Sequence, residues 1–323
     1  MQNKIKELSK YIGNTPTIKA VKLMKRFNLK TNLFLKIESF NYSGSSKDRL
    51  AYYIIKDGIE KGLINKNTII IEATSGNTGI SIAAISKYIG IKCIIVMPDS
   101  ASIERVNILK KYNAEVILTP KEEGMTGSIN KVKELKLRYH NNFSLNQFEN
   151  ELGTLAHYET TGPEIYNEIK DLEVLVCGIG TGTTLSGCGK FLKEKNPYIK
   201  IIGVEPLLSN ILNGSNKKPH LIEGLGAGFI PKTLNTNLID EVIDIKDEDA
   251  YEYTKILYQV ENLKCGISSG AALCAGLNLC KKGIYHNILV ILPDDGNRYL
   301  SRGIFDEDVR RTWKRIKLWE WFI

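Results

Sequence analysis

From about residue 33 onward, short runs of β-branched and other apolar residues alternate with longer amphipathic stretches. Residues 33–37, 68–72, 92–97 and 115–118 are strand-sized apolar runs, and 46–62, 78–88, 102–112 and 127–139 carry the helical period. A second series follows Gln147, with a helix expected over 153–169, a strand over 173–177, a helix over 183–195 and a strand over 200–204. Strands that alternate with helices predict a mostly parallel sheet covered on both faces. The expected fold class is therefore α/β, with two doubly wound units of three αβα layers each. No Pro- or Gly-rich linker separates the two series, so the units are expected to pack together with a ligand cleft between them. Residues 213–219 read as a loose surface loop. Residues 313–323, with three tryptophans and several basic residues, read as a packed terminal helix or as a cover for a groove or a subunit partner.

Composition narrows the function classes. A chain of 323 residues with 43% hydrophobic content can build a substantial core. Its longest apolar runs, such as Cys93 to Met97 and Ile288 to Leu292, are far too short to cross a bilayer. The opening residues Met1-Gln2-Asn3-Lys4-Ile5-Lys6-Glu7 contain no apolar signal core, so a cytoplasmic location without membrane association is the expectation. The cysteines Cys93, Cys177, Cys188, Cys265, Cys274 and Cys280 form no C-x-x-C pair and lie mostly in apolar segments, which suits reduced, buried thiols. His140, His157, His220 and His286 are scattered, and no metal is expected. The formal charge of +8 is spread among acids without a nucleic-acid-binding motif, so nucleic acid is not an expected partner. The positive surface still favours anionic substrates and a phosphorylated cofactor.

Three strand-to-helix junctions carry the candidate chemistry, because helix N-termini beyond the carboxyl ends of strands offer free N–H groups to ligands. In the first, the polar loop from Ser39 to Ser46 leads to Lys47 in the opening turn of a helix. There the helix dipole and desolvation both disfavour the ammonium and favour a nucleophilic amine, against the plainer reading of a solvated lysine. The second junction, Thr74-Ser75-Gly76-Asn77-Thr78-Gly79, concentrates hydroxyls and backbone N–H groups well beyond what one helix cap needs, and suits a carboxylate. In the third, Gly178-Ile179-Gly180-Thr181-Gly182-Thr183-Thr184, glycines allow close approach to a phosphate and threonines add donors. Its G-x-G-x-G spacing departs from the dinucleotide pattern, although Glu205 lies at the distance of a ribose-binding acid, so a nicotinamide-binding protein stays open. No Walker A loop, nucleophile elbow or H-E-x-x-H motif is present.

In this order and at these separations the junctions resemble the cysteine synthase and cystathionine β-synthase group of fold-type II pyridoxal-phosphate enzymes. The resemblance extends over nearly the whole chain, through Ile12 to Pro16, Asn146-Gln147-Phe148, Thr160 to Ile165, Gly203 to Pro206, Gly224 to Pro231, Gly266 to Gly270 and Leu292 to Tyr299. It implies a tryptophan synthase β-like fold, with a smaller mobile domain over 41–147 and a larger domain formed by 1–40 and 148–323. It implies Lys47 as the Schiff-base lysine and as the base for the α-proton, and Asn77 as the partner of the cofactor's ring oxygen. Thr74, Ser75, Gly76, Thr78 and Gln147 would hold the substrate carboxylate, Gly180, Thr181, Gly182, Thr183 and Thr184 the cofactor phosphate, and Ser268 the pyridine nitrogen.

The implied cofactor is pyridoxal 5′-phosphate, and the implied partners are an amino-acid substrate, sulfide or a thiol, and a second copy in a homodimer. The implied reaction is elimination at the β-carbon to an aminoacrylate, followed by addition of the nucleophile. O-acetylserine and sulfide would give cysteine. The same site would serve a cysteine-consuming enzyme that releases hydrogen sulfide or forms lanthionine or cystathionine. A catalytically silent binding relative is the alternative of another class. Tyr42, Ser46 and Thr183 depart from the family pattern, and Tyr42, Ser43 and Ser45 are expected to border the substrate cleft.

Overall fold

The computed structural model describes residues 1–214 and 217–305, so the expected terminal helix at 313–323 lies outside the described residues, as do two residues of the expected loop at 213–219. The described strands are β1 (Thr17–Lys19), β2 (Asn32–Ile37), β3 (Ile69–Ala73), β4 (Lys92–Pro98), β5 (Glu115–Thr119), β6 (Asn142–Phe143), β7 (Val174–Gly178), β8 (Lys200–Pro206), β9 (Glu241–Ile245) and β10 (Asn287–Leu292). They form two sheets, one of order β5-β4-β3-β6 and one of order β1-β2-β10-β7-β8-β9. Every pairing is parallel except that of β1 with β2. The two mostly parallel sheets match the expected α/β architecture.

Central strands are apolar on both faces because helices cover both. In β10 the run Ile288 to Leu292 is buried throughout, as are Cys93 to Met97 of β4. The crossover helices include Lys47–Glu60, Asn77–Ile89, Ile103–Lys111 and Gly124–Arg138 in the first series, and Thr183–Lys195 and Ile267–Lys282 in the second. Asn77–Ile89 stops where Gly90 turns left-handed at φ 83°, a conformation that costs glycine little.

Two elements differ from the sequence expectation. The helix expected over 153–169 comprises Leu152–Ala156, a π turn over His157–Thr161, and Gly162–Glu168. The wider turn lies where Gly187 of the neighbouring helix lets the two backbones approach, its Cα facing Thr154 and His157. The resemblance assigns residues 1–40, and with them the N-terminal helix Gln2–Leu8, to the larger domain. Instead the helix buries Ile5 and Leu8 in the apolar cluster of Leu50, Ile54, Ile80 and Cys93 beside the four-stranded sheet. Its one apolar edge finds its partner on the helix that Lys47 opens.

Candidate active site

After β2 the chain crosses a short polar loop and enters Lys47–Glu60. The loop is fixed at several points. Ser43 N donates to Asp48 Oδ2 at 2.6 Å, Ser46 N to the carbonyl of Pro293 at 2.9 Å, and Gly13 N to Asn41 Oδ1 at 2.8 Å. Lys47 therefore opens the helix in a fixed place. Desolvation pushes its amine below the lysine range, although Cys177, Asp294 and Glu38 pull the other way. The expected depression of the amine is present, with burial as its main cause.

Two residues further on, Arg49 anchors this turn to the other sheet's side. Its guanidinium meets Glu38 through Nε and Nη2, both at 2.8 Å, and Glu164 through Nη1 at 2.7 Å. Burial alone would raise the Glu38 carboxyl, yet the charge and hydrogen bonds of Arg49 hold it at about 2. Thr15 Oγ1 also donates to Glu38, at 2.6 Å. This is a paired, hydrogen-bonded charge cluster, the form in which buried ions are tolerated.

The second junction lies at the carboxyl end of β3. Thr74 N donates to the carbonyl of Val96 at 3.0 Å, and Gly76 N donates to Thr74 Oγ1 at 3.2 Å just before the helix starts at Asn77. Thr78 Oγ1 hydrogen-bonds Gln147 Oε1, so residues 69 positions apart meet at one helix N-terminus. Ser75 and Gly76 sit in the same turn and stay partly exposed. Asn77 instead engages Asp294 and Arg298.

The third junction connects β7 to Thr183–Lys195. Gly182 adopts φ 80°, and a Cβ on Gly180 would strike the carbonyl oxygen of Gly224. Thr181 and Thr183 hydroxyls lie 2.9 Å apart, and Thr184 Oγ1 lies 3.1 Å from His157 Nε2. Burial, helped by the charge of Arg49, lowers His157 to about 3, so the imidazole is neutral. Ser268 is buried in the first turn of Ile267–Lys282, and a Cβ on Gly224 would approach its Oγ to 3.9 Å. The segment at Gly224 thus borders both the glycine loop and Ser268. Glu205, the candidate ribose partner, accepts from Leu212 N at 3.0 Å and faces Asp244. It is engaged in its own corner of the fold, which leaves the dinucleotide reading without its acid.

Several residues here carry no role in the sequence reading. Asp294 is fully buried; its Oδ2 accepts from Asn77 and from Tyr299, while its Oδ1 has no partner among the described residues. Asp294 and Arg298 lie in the segment that joined the resemblance as a motif only. Tyr42 packs against Tyr11 and Tyr88, with ring centroids 6.3 and 5.9 Å away. A cavity of about 710 Å³ lined by Asp57, Lys61, Phe143 and Tyr158 touches Asn146 but none of the candidate site residues. Among the described residues no helix is long and apolar enough to cross a membrane.

The donor set fits the expected cofactor. A half-buried, desolvated amine suits its aldehyde, a glycine loop without room for a Cβ at Gly180 suits its phosphate, and a buried hydroxyl suits its ring nitrogen. The family model for pyridoxal-phosphate dependent enzymes matches residues 8–294. The chain is 44% identical over 300 residues to the cysteine synthase B of Campylobacter jejuni, covering 93% of this chain and 98% of that protein. It is similar to the solved cysteine synthase of Entamoeba histolytica, at TM-score 0.87 and 37% identity over 93% of this chain and 90% of the other. It is also similar to a solved hydrogen sulfide-producing enzyme of Fusobacterium nucleatum, at TM-score 0.85 and 39% identity over 90% and 97% of the two chains.

Proposed function

The chain belongs to the pyridoxal-phosphate dependent enzymes, in the cysteine synthase and cystathionine β-synthase group of fold type II, and from that premise we propose that it makes cysteine from O-acetylserine and sulfide. The observation that carries this reading is the amine of Lys47, depressed by desolvation at a helix start between a carboxylate-binding turn and a glycine-threonine loop. Pyridoxal phosphate supplies the electron-withdrawing ring that lets an amino acid lose its α-proton and then its β-substituent.

In this proposal Lys47 Nζ would hold the cofactor at its aldehyde. The same Nζ would be the base that takes the substrate's α-proton. The N–H groups and hydroxyls of Thr74, Ser75, Gly76 and Thr78, with the Gln147 amide, hold the substrate carboxylate at the positive end of Asn77–Ile89. Gly180 to Thr184 would hold the phosphate, Asn77 would meet the ring oxygen and Ser268 the ring nitrogen. A hydroxyl at that nitrogen does not enforce its protonation, which favours loss of the β-group over transamination. Residues 41–147 close as the smaller unit to exclude water, and the first helix moves with them. A cytoplasmic homodimer goes with this reading.

The test supplies pure holoenzyme with O-acetylserine and sulfide and measures cysteine, then supplies cysteine alone and measures sulfide. Lys47→Ala is expected to abolish turnover in both assays while leaving the fold intact. The 39% identity to a hydrogen sulfide-producing enzyme supports the second reading, a cysteine-consuming lyase, which many turnovers of sulfide from cysteine alone would favour. Pure protein that takes up no cofactor and shows no visible absorbance would sink both.

A further inference from the structure

The side chain of Asn77 is gripped from two sides. Its Nδ2 donates to Asp294 Oδ2 at 2.8 Å, and its Oδ1 accepts from Arg298 Nη1. The chemistry of the two partners fixes which end of the amide is which, because a guanidinium only donates and a carboxylate only accepts. An amide nitrogen carries two hydrogens, of which Asp294 takes one. The group left free for a ligand is therefore the second N–H, and the amide oxygen is already committed.

Both partners are themselves held. Asp294 is fully buried and takes a second hydrogen bond from Tyr299 at 2.6 Å, while Ser46 and Gly266 donate to the backbone on either side of it. Arg298 is buried and also donates through Nη2 to the carbonyl of Ser43, and Asp295 N donates to the carbonyl of Gly44 at 3.2 Å. One short segment thus ties the turn at Asn77 to the loop that leads into Lys47.

We propose that Asp294 and Arg298 are positioning residues that lock the Asn77 amide so that it presents an N–H, and not its oxygen, to the ring oxygen of the cofactor. The inference rests on the assignment of Asn77 made above. A donor at that oxygen favours its anionic form, whereas a flipped amide would set one acceptor against another. The lock therefore biases the form in which the cofactor is bound, and that form is visible in its absorbance.

The experiment compares holoenzyme spectra of Asn77→Ala, Arg298→Met, Arg298→Lys, Asp294→Ala and the double variant Asn77→Ala/Arg298→Met, with thermal melting to check folding. In Asn77→Ala, Arg298→Met and Asp294→Ala the ratio of the longer- to the shorter-wavelength cofactor band should fall by about tenfold, as expected for losing one hydrogen bond to a charged group. Arg298→Lys, which keeps a charged donor, should retain most of the ratio, a rescue that general scaffolding by the guanidinium would not give. The double variant should fall no further than Asn77→Ala, because both act through the same amide. A normal spectrum in folded Arg298→Met and Asp294→Ala beside a changed Asn77→Ala would overturn the lock alone. A normal spectrum in Asn77→Ala would remove the underlying assignment, and the lock with it.

Discussion

Glu72, in β3, is nearly buried; its carboxylate accepts from Leu145 N at 2.9 Å, two residues before Gln147. Burial raises its pKa to about 7, against the backbone hydrogen bonds of Leu145 and Asn146 and the charge of Lys136 on Gly124–Arg138. An acid whose folded pKa lies above its ordinary 4.5 binds its proton more tightly in the native state. It therefore costs stability as pH rises through the window from 4.5 to about 7, and the cost is constant above it. The full cost is on the order of 3 kcal/mol. Glu72→Gln keeps an acceptor for Leu145 without an ionisation, so its melting temperature should exceed the parent's at pH ~8 and match it at pH ~4. An equal gain at both values would contradict the raised pKa. Arg49 tests the opposite case, since Arg49→Met strands Glu38 and Glu164 and should cost about 3–5 kcal/mol by denaturant titration. Lys47 was legible in the sequence because a lysine in a first helical turn works against the local dipole. Asp294 and Arg298 were not, because their partner Asn77 lies 217 and 221 residues away and only folding brings them together.

Helix Thr183–Lys195 offers a paired test of packing between elements. Gly187 faces the π turn so closely that a Cβ would lie 2.7 Å from His157 Cβ and also strike the carbonyl oxygen of Thr154. Gly189, two residues along, has Ile201 Cγ2 as its nearest neighbour at 3.4 Å, an ordinary contact. Gly187→Ala should therefore destabilise by about 1–3 kcal/mol through overpacking. Gly189→Ala should stabilise by up to ~1 kcal/mol, because alanine gives up less chain entropy in a helix. Opposite shifts in urea midpoint would check the pair, and a neutral Gly187→Ala would mean that the two backbones separate easily. The bounds of this helix were readable from its own period and the glycines before it. The π turn at His157–Thr161 was not, since the wider turn answers to a neighbour on another helix. Strands β1 and β6, of three and two residues, are likewise too short to show alternation and exist through their pairing with β2 and β3.

Across the whole molecule the two sheets are joined by charges as well as by Asn77. Glu223 accepts from Arg105 of Ile103–Lys111 and, at 2.6 Å, from Arg302 beyond β10, while Glu104 accepts from Ser301. Burial would raise the Glu223 carboxyl, but the two guanidinium groups hold it below the usual range. Glu223 directly precedes Gly224, whose carbonyl limits the space at Gly180, so the bridge connects the helix after β4 to the wall of the glycine-threonine loop. If the smaller unit closes to keep water out, this bridge belongs to the closed arrangement. Glu223→Ala would leave Arg105 and Arg302 facing each other, with Arg105 buried and deprived of its counter-charge. Losing the partner of a buried charge costs roughly 3–5 kcal/mol, so a closed state that depends on Glu223 should lose most of its population. Water then reaches the site during turnover. With O-acetylserine and sulfide, the share of turnovers ending in pyruvate and ammonia should rise several-fold relative to cysteine, and more steeply as sulfide is lowered. A lower melting temperature with an unchanged ratio of pyruvate to cysteine would make Glu223 part of the scaffold and leave closure to other contacts.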